Sequence, residues 1–139
     1  MKRQIASVLG VFGLLLVAAC ANAQSVNVNA NVPFNFTVAK STLPAGEYNI
    51  QSLVSATGSV LAIRGDAGKN MLASANTAET LNASPNSRLV FHKYGDQYFL
   101  SQIWLQGENV GRQFTIGRRE AEMASVKTSE DVIVLAALR

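Results

Sequence analysis

The sequence predicts an all-β domain, a small antiparallel β-sandwich or barrel of about 7–9 strands with one short helix near the C-terminus. Three observations carry this. Residues 26–38 alternate apolar and polar side chains: Val26, Val28, Ala30, Val32, Phe34, Phe36 and Val38 share one face, with Asn27, Asn29, Asn31, Asn35 and Thr37 on the other. Strictly alternating side chains mark a strand with one face buried and one wet. Further strand-like runs follow at spacings of 8–12 residues, broken by Gly, Pro and Asn, as in sandwiches and barrels. The densest run, Arg88 to Trp104, holds five of the ten aromatics, and Gly95-Asp96 divides it into two strands.

Met1 to Gln24 reads as a bacterial export leader. Lys2 and Arg3 form a basic start and Ile5 to Ala19 an apolar stretch, shorter than the ~20 residues a membrane helix needs. Two cleavage sites remain open. Ala21-Asn22-Ala23 gives an A-x-A site, a leader over 1–23 and a single β-domain over 24–139. Val17-Ala18-Ala19-Cys20 resembles a lipobox, which would place a lipid anchor on the sulfur of Cys20. Either route exports the protein across the inner membrane, to a periplasmic, outer-membrane-associated or secreted location. No transmembrane span is expected in the mature chain, and without Cys20 it has no cysteine for a disulfide, so the fold must rest on its core.

Beyond the leader, Pro33 removes a ladder donor and marks an edge strand or a break into two strands. Lys40 to Gly46 reads as a turn, Glu47 to Leu53 as a strand with Tyr48 and Ile50 inward, and Thr57-Gly58 as the next turn. Val60 to Ile63 is a short strand ended by Arg64-Gly65-Asp66, a tripeptide read here as turn chemistry. Lys69 to Ala75 is another strand. Asn76 to Ser87, rich in Ala, Asn, Ser and Thr, is predicted to be the longest loop. In the Gly95-Asp96 hairpin, Tyr94 should face Gln97, His92 should face Phe99 and Val90 should face Ser101, putting Leu89, Phe91, Tyr98, Leu100 and Trp104 on the core face. Val110 to Ile116 is a weaker strand with Phe114 and Ile116 in phase. Gly117 to Val126 is a short helix that must dock to persist. Val132 to Leu138, unbroken and apolar, suits a strand buried on both faces or a central one.

The formal charge of +3 falls to about +1 without Lys2 and Arg3, and the remaining basic residues are scattered apart from Arg118-Arg119. Nucleic-acid binding requires clustered positive charge, so it is not expected. Catalytic and metal chemistry are thin. His92 is the only imidazole, Asp66, Asp96 and Asp131 are spread along turns and strand ends, and no zinc, P-loop or serine-hydrolase motif is present. No cofactor, metal or catalytic residue is assigned. A hydrolase built on His92 is the third-ranked function. Tyr94, Tyr98, Trp104 and His92 are the candidate ligand-binding residues, since exposed aromatics can form a platform for sugar rings or a partner. The competing role for such large side chains is core.

Val32-Pro33-Phe34-Asn35-Phe36-Thr37-Val38, Leu43-Pro44-Ala45-Gly46-Glu47-Tyr48 and Leu89 to Ser101 with Trp104 together resemble a family of short exported bacterial proteins of uncharacterised function. The resemblance implies an exported β-domain and carries no functional residues over. The Leu43 to Tyr48 turn is also similar, more weakly, to carboxypeptidase-regulatory-like and Cna-B-like sandwich modules. The expected function is a non-enzymatic structural or binding module of the cell envelope, with an envelope component or a second copy as partner. A small-ligand or carbohydrate-binding β-domain is the alternative.

Overall fold

A computed structural model describes residues 25–53 and 60–138. The predicted leader, Cys20 and the turn at Thr57-Gly58 lie outside the described residues. Those described form ten strands and one helix: β1 (Asn27–Val32), β2 (Phe36–Val38), β3 (Ser41–Leu43), β4 (Gly46–Ser52), β5 (Val60–Gly65), β6 (Asn70–Glu79), β7 (Arg88–Tyr94), β8 (Gln97–Trp104), β9 (Val110–Phe114), α1 (Arg118–Ala124) and β10 (Glu130–Leu138).

Eight strands close into an antiparallel barrel, in the order β1-β4-β5-β6-β9-β8-β7-β10 and back to β1. Closure removes the free edges that an open sheet of this length would expose. The β2–β3 hairpin sits outside the ring. β2 pairs in parallel with β8 at Thr37 and Phe99, while β9 pairs with β8 further along, at Gln102 and Ile103. Eight strands leave an interior that side chains can fill. Here Val28, Val32, Ile50, Leu61, Ile63, Leu89, Phe91 and Ile103 fill it, each essentially without solvent contact. Phe91 lies at the centre, meeting the edges of Phe34 and Phe36 at ring separations of 5.0 and 5.3 Å.

The alternation over 26–38 is present, and Pro33 divides it into β1 and β2. The hairpin turns at Gly95-Asp96, where Gly95 has φ +61° as the first residue of a type II′ turn requires. Several expectations are corrected. The predicted turn over 40–46 contains β3, which pairs with β2 across Ala39 and Lys40. The predicted loop over 76–87 begins later, because β6 runs on to Glu79 by pairing with β9; over 76–79 the strand buries no side chain, so no apolar alternation marks it in the sequence. A β-bulge opposite Val90 and Phe91 shifts the hairpin register, so Val90 faces Gln102 rather than Ser101. One extra residue reverses every later side chain. Trp104 therefore lies on the outer face with Gln102, to which its indole N–H donates at 3.0 Å, and not on the core face with Leu89. Ile116 lies beyond the end of β9 and is exposed. β10 is central in the ring, yet its outer face is open: Ile133 and Leu135 are 53% and 64% exposed.

Two glycines oppose aromatics across strands. Gly65 pairs with Tyr48, and the β8–β9 register carries Trp104 opposite Gly111. A Cβ on Gly111 would lie 2.6 Å from both the Trp104 ring and the Ile103 carbonyl oxygen. The ring covers the gap that the missing side chain leaves, as aromatic neighbours do for strand glycines.

Candidate functional site: a groove beside a polar-anchored helix

β7 and β8 carry a second buried layer on the outside of the barrel, made of His92, Tyr94 and Phe99, with the Tyr94 and Phe99 rings edge to face at 5.8 Å. α1 packs over this layer. At seven residues the helix is too short to persist alone, and the one residue it buries is Glu120. Oε1 of Glu120 sits 2.6 Å from Nδ1 of His92 and accepts the Tyr94 hydroxyl at 3.2 Å. A carboxylate oxygen can only accept, so Nδ1 is the protonated nitrogen facing it. Nε2 of His92 faces Asp131, its cross-strand partner on β10, at 3.8 Å. Burial pushes the Tyr94 phenol above its ordinary pKa, and the neighbouring Glu120 charge adds to the rise; a hydrogen bond from Ser129 acts in the opposite direction. Helices usually dock through an apolar stripe. This one is fastened by a carboxylate held between an imidazole and a phenol.

With α1 fixed in this way, its other side becomes one wall of an open groove of about 720 Å³. Thr37, Ala39 and Lys40 from the β2–β3 hairpin form the opposite wall, and Thr115, Ile116 and Gly117 form the floor that leads into the helix. The floor comes close to the hairpin wall at Gly117, where a Cβ would lie 3.5 Å from the Ala39 carbonyl oxygen. The lining is mainly apolar, and Lys40, Arg118 and Arg119 ring it. Glu122 is the acidic residue of the lining, and Arg118 engages it at 3.2 Å. A narrow crevice lined by Thr37, Phe99, Thr115 and Glu120 runs from beneath the groove toward the helix anchor.

The four residues proposed from sequence do not form one platform. His92 and Tyr94 are together, in the layer under α1. Tyr98 lies on the opposite, inward face of the hairpin, stacked on Phe34 at 3.8 Å with the Lys93 ammonium 5.7 Å from its ring centre. Trp104 is at the far end of β8, over Gly111. Glu120, the partner that His92 lacked in the sequence, was hidden in an Arg-Arg-Glu-Ala-Glu run that reads as solvated surface. One signal pointed to it. If Arg118 and Glu122 pair along one helix face, Glu120 falls on the opposite face, the one turned to the barrel.

A second cleft, of about 420 Å³, opens on the outer face of β1 and β4 and is lined by Asn29, Asn31, Asn49, Glu47 and Asp66. Its amides largely satisfy one another: Asn49 donates to the side chains of Asn27 at 3.1 Å and Asn29 at 2.8 Å. Among the described residues, no group of His, Cys, Asp and Glu is arranged to hold a metal ion, and no helix is long and apolar enough to cross a membrane. Comparison with models of known protein families, with curated proteins and with solved structures finds no match.

Proposed function

We propose that the chain is a non-enzymatic binding module exported to the cell envelope, and that it binds through the groove between α1 and the β2–β3 hairpin. The groove is the observation that carries this. Its volume falls in the range of small-molecule sites, and it combines a mainly apolar surface, centred on Ala39 and Ile116, with charged groups in the same lining. The barrel interior is filled by side chains, so the outer surface is the natural place for a ligand. His92, the anchor for a hydrolase, meets Glu120 at Nδ1 and faces a second carboxylate, Asp131, at Nε2, the nitrogen that would act as the base, which supports reading it as a holder of the helix. The leader-like start of the sequence and the resemblance to short exported β-proteins support the envelope location.

The test is a fragment and metabolite screen by ¹H–¹⁵N NMR on the purified domain. Binders are expected to move the amide signals of Thr37, Lys40, Ile116 and Arg119 together. An Ile116→Glu variant, altered at an exposed position, should keep the barrel spectrum and lose those shifts. Hits that cluster elsewhere, or that bind Ile116→Glu equally well, refute the groove as the site.

A further inference from the structure

We propose that the occupant of this groove is a single-chain acidic amphiphile: one alkyl tail laid along the apolar surface at Ala39 and Ile116, with its anionic head between Lys40 and Arg119. The inference rests on the groove being the binding site and adds the chemistry of what fills it. The charge around the groove is one-sided. Lys40, Arg118 and Arg119 belong to the lining, and its acidic residue, Glu122, pairs with Arg118, which leaves Lys40 and Arg119 as the excess positive charge. Glu120 belongs to the same helix but turns its carboxylate the other way, into His92 and Tyr94, where it offers no acceptor to a ligand at the rim.

A neutral apolar ligand would leave Lys40 and Arg119 without a role, and a cationic one would meet repulsion. A small inorganic anion would leave the apolar walls wet. The concave shape favours a single free chain over a bilayer. A bilayer needs several apolar side chains projecting outward, whereas here the lining has one large apolar side chain, Ile116, set between a hairpin and a helix. Tail burial supplies affinity, roughly a threefold to fourfold gain per methylene if fully buried. The cations supply selectivity for the head and speed of encounter.

The probes are decanoate, 1-decanol, decyltrimethylammonium and acetate, each titrated into the domain below any micellar concentration and followed by the groove amide signals. Decanoate is expected to bind at least roughly tenfold more tightly than decanol. Decyltrimethylammonium and acetate should not saturate, and shortening decanoate by two carbons should weaken binding by up to roughly ninefold to sixteenfold, the limit for full burial. An Arg119→Glu, Lys40→Glu double variant should lose the preference for decanoate over decanol while retaining decanol binding. Both positions are exposed, so the fold should tolerate the changes. If decanol binds as well as decanoate, the acidic head is refuted while the groove survives as a site. If no probe and no screen compound moves the groove signals, both readings fall. If the domain instead pellets with phosphatidylglycerol vesicles while decanoate leaves the groove unmoved, the partner is a bilayer and the proposal is overturned.

Discussion

Replacing Glu120 by Ala should release α1 from the barrel. The carboxylate accepts from His92 and Tyr94, so its removal strips two donors of their acceptor at once. A hydrogen bond to a charged group is worth about 1.5–3 kcal/mol, and a buried donor left without a partner costs about 1–3 kcal/mol. His92 is 23% exposed and can recruit water, whereas Tyr94 is almost fully buried. Most of the penalty therefore falls on Tyr94. Offsetting a part of it, the variant no longer has to keep a carboxylate out of water. The net loss is about 2–4 kcal/mol. It should act on the helix first, because no other α1 residue is buried. Hydrogen exchange is the assay: the amides of Ser125 and Lys127, which bond back to Ala121 and Met123, should lose about two orders of magnitude of protection, while those of Phe91 and Leu100 keep theirs. Glu120→Gln retains an acceptor and should cost only about 1 kcal/mol. Helix protection in Glu120→Ala within a factor of two of wild type would refute the polar anchor.

The strand glycines should be intolerant in a set order. Gly111→Ala drives a methyl against the Ile103 backbone as well as the Trp104 ring, and should lower stability by about 2–3 kcal/mol. Gly65→Ala meets chiefly the Tyr48 ring edge and should cost less, about 1–2 kcal/mol; urea denaturation showing the reverse order would contradict the packing. Phe91→Ala empties the middle of the barrel and should cost about 3–5 kcal/mol in the same assay. At high pH the sign follows from the phenols. Burial raises the pKa of both Tyr48 and Tyr94 above the usual 10. From about pH 10 the unfolded chain loses phenol protons that the folded chain retains, so stability, fully present below that pH, falls as pH rises through the folded-state values. Tyr48→Phe and Tyr94→Phe together should flatten this decline from about pH 10 upward; an unchanged slope would exclude the two phenols as its source.

The parts of the fold that were legible are those written in local period. Val26 to Val38 alternates over more than two turns of the pleat, and only a strand with one buried face satisfies that pattern. Gly95-Asp96 between two aromatic-rich runs left the hairpin little choice of turn. What was not legible depends on partners distant in the chain. The insertion of β10 between β1 and β7 is a choice among pairings that its own residues do not encode, because an apolar run fits any central slot. The extension of β6 to Glu79 is invisible in Ala75-Asn76-Thr77-Ala78 since Ala and Thr give little contrast between faces, and β9 supplies the ladder. The bulge at the middle of β8 has no glycine to announce it, and it moved Trp104 across the sheet. The site was legible only in part for a related reason: His92 and Tyr94 stood out by type, but Glu120 becomes meaningful only once the helix is laid on the barrel.

A helix held by one carboxylate also has consequences for binding. α1 forms a wall of the groove opposite the β2–β3 hairpin, so a ligand that touches both walls binds the docked helix and not the released one. Such a ligand stabilises the docked state by RT ln(1 + [L]/Kd), about 2.7 kcal/mol at one hundred times Kd. That is comparable to the loss expected from Glu120→Ala. Saturating ligand should therefore restore most of the Ser125 and Lys127 exchange protection in Glu120→Ala, and the variant should bind more weakly by the factor that its helix is undocked. A variant that binds as tightly as wild type while its helix remains unprotected would separate the groove from the helix, and would mean that the β2–β3 hairpin alone makes the site.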